Sequence, residues 1–169
     1  MCSEMLDVML KNDVDVVASG YVRRNANQII CLRNLPDMTI DFKSDNASDI
    51  VKEWMGDFDG CRLNSTVFGK LYKAEVIKKS YENVPDDMQL GEDIVNYLNL
   101  IGLLQKIVCM SNVYYNYYNN TNSLTHAKSV FNFGKREYTF FIVENLSSKN
   151  MVLMKLLWTS GFWTKQKRG

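Results

Sequence analysis

Glu92 and Asp93 stand side by side after Gly91 and open the run Ile94-Val95-Asn96-Tyr97-Leu98, whose apolar residues recur at helical spacing. Two readings suit adjacent carboxylates at such a place. They lie in the first turn of a helix, where unpaired N–H groups and the positive end of the dipole favour negative charge. Alternatively, a carboxylate within hydrogen-bond reach of a substrate hydroxyl takes its proton as that oxygen attacks, which is general-base chemistry. Spacing alone leaves both open. Other residues able to do chemistry are sparse. His126 is the one histidine, and an imidazole without a companion ligand fits a surface or capping role better than a metal site. Asp13-Val14-Asp15 and Asp57-Phe58-Asp59 carry the letters of a D-x-D cation site. The first precedes a strand and the second follows a helix, so neither is expected to hold a metal. Cys2, Cys31, Cys61 and Cys109 lie about thirty or more residues apart with no C-x-x-C pair, which argues for reduced thiols in a cytosolic setting.

The elements that must position these residues alternate. Residues 3–11 read as a helix with Met5, Leu6, Met9 and Leu10 on one face and Ser3 as its N-cap. Residues 14–22 make a strand apolar enough to be buried on both faces, and 28–33 form a second across a polar turn, a hairpin pattern. An extended stretch follows Pro36, then a helix over 47–55 closed by Gly56. Residues 73–79 have helical composition, 80–90 read as a surface loop, and 92–105 as a helix. Strand composition returns at 106–110 and 113–118, and helical pattern at 129–145 and 150–159. This alternation favours an α/β fold with a mixed sheet and C-terminal helices.

With 169 residues, 46% of them hydrophobic, the chain can build one core. Twenty basic and nineteen acidic residues leave a formal charge of +1, so no overall field draws the protein to nucleic acid. There is no evident signal peptide and no run of the roughly twenty apolar residues that span a bilayer. Residues 131–163 are rich in Phe, Leu and Trp, ending in Trp158, Phe162 and Trp163 before Lys165-Gln166-Lys167-Arg168. A helix pair packed on the domain and an amphipathic membrane-surface helix both fit that pattern. Tyr114, Tyr115, Tyr117 and Tyr118 suit a half-buried strand, with a sugar-stacking platform as the alternative.

Three segments, taken in order, resemble family-two glycosyltransferases. Asn64-Ser65-Thr66-Val67-Phe68-Gly69-Lys70-Leu71-Tyr72-Lys73-Ala74-Glu75-Val76-Ile77 is similar to the family's "aromatic-x-K-L-Y, basic residue, x-E-x-I" segment. Leu90-Gly91-Glu92-Asp93-Ile94 is similar to its G-E-D helix start. Tyr115-Asn116-Tyr117-Tyr118-Asn119-Asn120-Thr121-Asn122-Ser123-Leu124-Thr125 resembles its "YxYR, four residues, S-[IL]-T" strand and loop, with Tyr118 where the family commonly has Arg or His. Residues 6–21 also resemble the helix and "D-x-V-x-x-G-Y" strand that follow the family's donor site. The resemblance implies a partial GT-A fold, Rossmann-like, over residues 1–126, with 127–169 as a C-terminal helical extension. It implies sugar transfer from a nucleotide-sugar donor to a glycan acceptor hydroxyl with inversion, in polysaccharide biosynthesis. Asp93 would be the base, Glu92 its orienting partner, and Lys70, Tyr72, Tyr118 and Ser123 acceptor-binding residues.

In a complete family member a D-x-D pair holds Mn or Mg on the donor diphosphate. That pair would fall before Met1, so this chain is expected to bind no metal and to be inactive alone. A domain cut there would expose a strand edge and apolar helix faces, which implies a homodimer or an extensively remodelled fold. The cellular setting implied is cytoplasmic, with peripheral membrane contact through the C-terminal helices. A glycan-binding or assembly module that has lost donor binding is the reading from the other functional class.

Overall fold

The structure is a computed structural model that describes residues 1–25, 28–43, 66–82, 84, 86 and 92–120. The order of elements is α1 (Cys2–Asn12), β1 (Val16–Asn25), β2 (Gln28–Arg33), β3 (Met38–Asp41), β4 (Lys70–Tyr72), α2 (Ala74–Tyr81), α3 (Glu92–Ile101) and β5 (Lys106–Tyr118). The helices expected at 47–55, 129–145 and 150–159, and with them the C-terminal extension and its membrane contact, lie outside the described residues. So do Asp57, Asp59, Ser123 and His126.

The fold is α/β with a mixed sheet of five strands. β1 is its axis. On one side it pairs in parallel with β5, and on the other it pairs antiparallel with β4 through residues 16–18 and with β2 through residues 21–25. β3 lies antiparallel on the far side of β5. The hairpin read from residues 14–33 is β1–β2, and residues 14–20 are buried throughout, as a strand covered on both faces must be.

Because strand side chains alternate between faces, the sheet divides its residues between two cores. Val16, Ala18, Ile107 and Cys109 pack with Tyr97, Leu100 and Ile101 of α3, with Tyr72 and Val76 against them. Val17 and Val14 pack with Met5 and Met9 of α1, joined by Leu71, Val108 and Met110. Helices therefore cover both faces. Within the described residues no helix is long and apolar enough to cross a membrane.

Four expectations are corrected. Ser3 does not cap α1, because the helix begins a residue earlier, its N-cap position is Met1, and Met1 makes no side-chain cap bond. Leu6 and Leu10 stay exposed, since Met5 and Met9, with Val8 packed beside them, are the residues of α1 that meet the sheet. Residues 106–118 form one strand rather than two. The register between β1 and β5 slips at Gly20, and Asp37 takes up the displaced Ser111 by accepting from its amide N–H (2.7 Å) and its Oγ (2.8 Å). Finally, α2 runs on through Ser80 and Tyr81, and Ser80 is fully buried rather than in a surface loop.

Three segments are tied together by Asp15. Its Oδ2 accepts from the backbone N–H of Gln105 (2.7 Å) and Lys106 (3.2 Å), where β5 begins. Its own amide donates to the Lys106 carbonyl and its carbonyl accepts from the Lys73 amide, between β4 and α2. Lys73 Nζ lies 3.0 Å from Asp13 and 3.4 Å from Asp15. Asp13, then Asp15, hold the Lys73 proton more tightly, and Lys73 keeps the Asp13 carboxyl below its ordinary range. Asp15→Ala orphans two main-chain donors, each costing about 1–3 kcal/mol if buried. Urea unfolding should show a loss of about 2–4 kcal/mol, whereas Asp15→Asn, which keeps an acceptor oxygen, should retain more than half of it.

Candidate functional site

β4 is only three residues long, and its pairing decides where its side chains go. Lys70 stands opposite Ala18 and Tyr72 opposite Val16, so Tyr72 joins the core on the α3 side while Leu71 joins the α1 side. Before β4 the chain turns at Gly69, whose φ of +70° suits glycine. Ser19 fastens that turn, donating from both its amide and its Oγ to the Gly69 carbonyl (2.9 Å each). The Lys70 ammonium donates to the Thr66 carbonyl, and the Tyr72 hydroxyl reaches the Val67 carbonyl at 3.4 Å.

The acids arrive from α3, which is held against α2 by a polar joint. Ser80 Oγ donates to the Ile77 carbonyl (2.8 Å) and lies 2.5 Å from Asn96 Oδ1. Asn99 Nδ2 donates to the Ser80 carbonyl (2.9 Å). This joint sets the N-terminus of α3 beside the end of α2, so that Tyr81 comes under the influence of both Asp93 and Glu92.

The electrostatics show which groups share the site. Burial, then the neighbouring Glu92 charge, raises the Asp93 carboxyl above its ordinary range, and Lys70 opposes the rise. The same Lys70 acts on Cys109, whose thiol burial pushes up to about 12. Burial is also the first cause that raises the Tyr72 hydroxyl, followed by Tyr81 and Asp93. Glu92 Oε2 and Asn96 Nδ2, one helical turn apart, are both buried without a hydrogen-bond partner. The Asp93 carboxylate, within reach of both the Glu92 charge and the Lys70 ammonium, can accept hydrogen bonds from hydroxyl groups and takes up a proton more readily than an ordinary aspartate.

Of the residues singled out in the sequence, Lys70 and Tyr72 of β4 and Glu92 and Asp93 of α3 come within electrostatic reach of one another, two elements supplying the four. Tyr118 does not. It lies opposite Arg24, six residues along β1 from the Ala18 row that carries Lys70 and Cys109, or about 20 Å at ~3.3 Å per residue. Tyr81 and the Ser80–Asn96–Asn99 joint were missed. Their signal was present: α2's helical spacing continues through residues 80 and 81, and two asparagines interrupt an otherwise apolar face of the next helix.

The other chemical candidates have structural occupations. Asp13 and Asp15 are engaged by Lys73, and the described residues contain no group of three His, Cys, Asp or Glu able to hold a metal. Among the tyrosines, Tyr114 donates to Glu4 on α1, which lowers that carboxyl. Tyr115 stacks on Phe68 (4.6 Å, 15°), Tyr117 lies tilted against the same ring (5.3 Å), and Tyr21 meets it edge-on (5.2 Å). Tyr115 and Tyr117 therefore follow the half-buried strand reading, as members of an intramolecular cluster. Comparison with known protein families, with curated proteins and with solved structures finds no match.

Asp93 gives the site a pH signature. An unfolded aspartate titrates near ~3.9, and between there and its higher folded value the native protein holds the extra proton. Stability therefore falls as pH rises through that window, and the cost is complete above it. Asp93→Asn is expected to raise the thermal midpoint at pH 7, with the advantage vanishing as the pH approaches ~4. A variant less stable than wild type at pH 7 would show that Asp93 is stabilised as the anion.

Proposed function

We propose that this chain supplies the acceptor side of an inverting glycosyltransferase of the GT-A, Rossmann-like type, acting on the cytoplasmic side of glycan synthesis. The observation that supports this reading is that Lys70 and Tyr72, from the segment similar to the family's K-L-Y, lie within electrostatic reach of Asp93, from its G-E-D. The two segments are about twenty residues apart in sequence, and α2 together with the Ser80–Asn96 joint brings them together.

In the proposed reaction an acceptor hydroxyl hydrogen-bonds to Asp93. As its oxygen attacks the anomeric carbon, the bond from that carbon to the nucleotide diphosphate breaks and the diphosphate leaves with the electron pair. The hydroxyl proton passes to Asp93, whose proton affinity burial and Glu92 raise above that of an ordinary aspartate. One displacement from the face opposite the leaving group inverts the anomeric centre. Glu92 accepts a second acceptor hydroxyl, and its buried, unpartnered Oε2 makes that contact profitable. Lys70 limits the repulsion between the two carboxylates before the proton arrives. Tyr72 walls the site with a partly buried ring, and burial raises its hydroxyl further above its ordinary range, while Tyr81 stands exposed at its rim. The described residues do not fit the divalent cation expected of a full-length family member, and no step here runs through one.

Amide chemical-shift mapping with oligosaccharide acceptors tests the acceptor side without requiring transfer. Shifts are expected at Lys70, Tyr72, Tyr81 and Glu92-Asp93. In a transfer-competent form supplied with UDP- or GDP-sugars and Mn²⁺, Asp93→Asn should lower the rate by about 10²–10⁴-fold. Shifts confined to other residues, or transfer by Asp93→Asn at the wild-type rate, would remove Asp93 from the role. Acceptor binding that Asp93→Asn leaves intact, with no transfer by the wild type, would favour a glycan-binding module.

A further inference from the structure

We propose that Arg23, with Arg33 beside it, forms a phosphate-binding site on one face of the sheet, toward the end of β1 remote from Lys70. Charge is segregated along this chain. The net charge is +1, yet residues 20–33 hold three arginines and no acid, and residues 110–120 hold no charged side chain at all. The sheet sets these two segments side by side. Over three residues the pairing is regular in both directions: Tyr21, Val22 and Arg23 lie opposite Arg33, Leu32 and Cys31 of β2, and opposite Tyr115, Asn116 and Tyr117 of β5. Partners in register share a face of the sheet, so Tyr21, Arg23, Arg33, Tyr115 and Tyr117 stand together. The Phe68 ring, which meets Tyr21, Tyr115 and Tyr117, lies on the same side.

Arg23 differs from a freely solvated arginine in how it is held. Its Nε donates to Asn119 Oδ1 (2.7 Å), and its guanidinium lies over the Tyr117 ring, 5.7 Å from the centroid. Asn119 is itself fixed, since its amide donates to the Arg24 carbonyl (2.9 Å) and extends the β1–β5 ladder. Both contacts are with neutral groups. The side chain is exposed, and no carboxylate among the described residues pairs with it. Its terminal nitrogens therefore present their charge in a fixed plane, the fork that binds phosphate oxygens bidentately. Arg33 holds the diagonal position on the neighbouring strand, about 7–8 Å away. Two guanidinium groups at that spacing repel, and an anion between them is attracted to both. The rings decide what kind of anion. Phe68 stacks on Tyr115, and Tyr117 lies between Phe68 and Arg23, so these rings are engaged with one another and offer no open platform to a nucleobase. Recognition falls to the oxyanion, a phosphate that is free or carried on a sugar. Arg23 stands five residues along β1 from the Ala18 row opposite Lys70, or ~16 Å at ~3.3 Å per residue, so this site does not depend on the acceptor reading of Asp93.

Titration of inorganic phosphate into the isotope-labelled full chain, against chloride at the same ionic strength, follows the arginine Nε–Hε signals by NMR. A saturable shift at Arg23 is expected with phosphate and with glucose-6-phosphate, and none with glucose. Tighter binding of glucose-6-phosphate identifies a phosphorylated sugar as the ligand, and equal affinity identifies free phosphate. Arg24 supplies the control, because it carries the same charge one residue away on the opposite face, with its Nε on Asn116 Oδ1 (2.8 Å). Arg23→Gln should weaken phosphate about tenfold or more. Asn119→Ala, which changes no charge but releases the fork, should weaken it several-fold, whereas Arg24→Gln should leave it nearly unchanged. The amide spectrum of each variant reports that the sheet is intact. No saturable shift at Arg23 overturns the proposal. Equal losses from Arg23→Gln and Arg24→Gln, the signature of a general positive field, overturn it as well.

Discussion

The Asp15 carboxylate is nearly out of water and accepts from two successive main-chain amides at the start of β5, while its own backbone bridges to Lys106 and Lys73. A buried carboxylate is costly unless its lone pairs are met and its charge is balanced. Here both conditions require β5, β4 and the start of α2 to converge at one end of β1. The parallel β1–β5 pairing needs a long connection between its strands. That connection includes β2, β3, β4, α2 and α3, and Asp15 is where its far end is fastened to its beginning.

From that fastening the site geometry follows. With Lys73 fixed, the three residues of β4 can pair with β1 in one register, and a slip of one residue would send Lys70 and Tyr72 to the α1 face and Leu71 to the other. Ala18, small and fully buried between Lys70 and Cys109 in the sheet row, leaves room for the lysine stem on the α3 side. α2 then leaves Lys73 in a set direction. Its last turn delivers Ser80 to Asn96, which holds α3 against α2.

The polar joint between α2 and α3 differs in kind from the apolar cores. Tyr97, Leu100 and Ile101 supply the burial that holds α3 to the sheet, but apolar contact is non-directional and tolerates small shifts. Ser80, Asn96 and Asn99 add bonds that depend on angle and distance. They fix the rotation of the helix and so the direction in which Glu92 and Asp93 point. The unpartnered atoms on Glu92 and Asn96 lie along this same helix end, where a ligand hydroxyl would have polar groups to meet.

Periodicity read from the chain alone located α1, the β1–β2 hairpin, α2, α3 and β5 to within a few residues, because each rests on local patterns of period 2 or 3.6. Four properties were decided by tertiary structure. Ser80 and Tyr81 belong to a helix because Asn96 and Asn99, some sixteen residues on, offer partners that composition does not reveal. Residues 106–118 run as one strand because Gly20 and Asp37 accommodate the bulge. Tyr118 falls away from the acids because the β1–β5 register carries it to the other end of the strand. The rise in Asp93's proton affinity depends on burial and on Glu92, with Lys70 opposing it. Local pattern sets which backbone each segment prefers, but desolvation, register and charge proximity act between residues far apart in the chain, so only the assembled fold determines them.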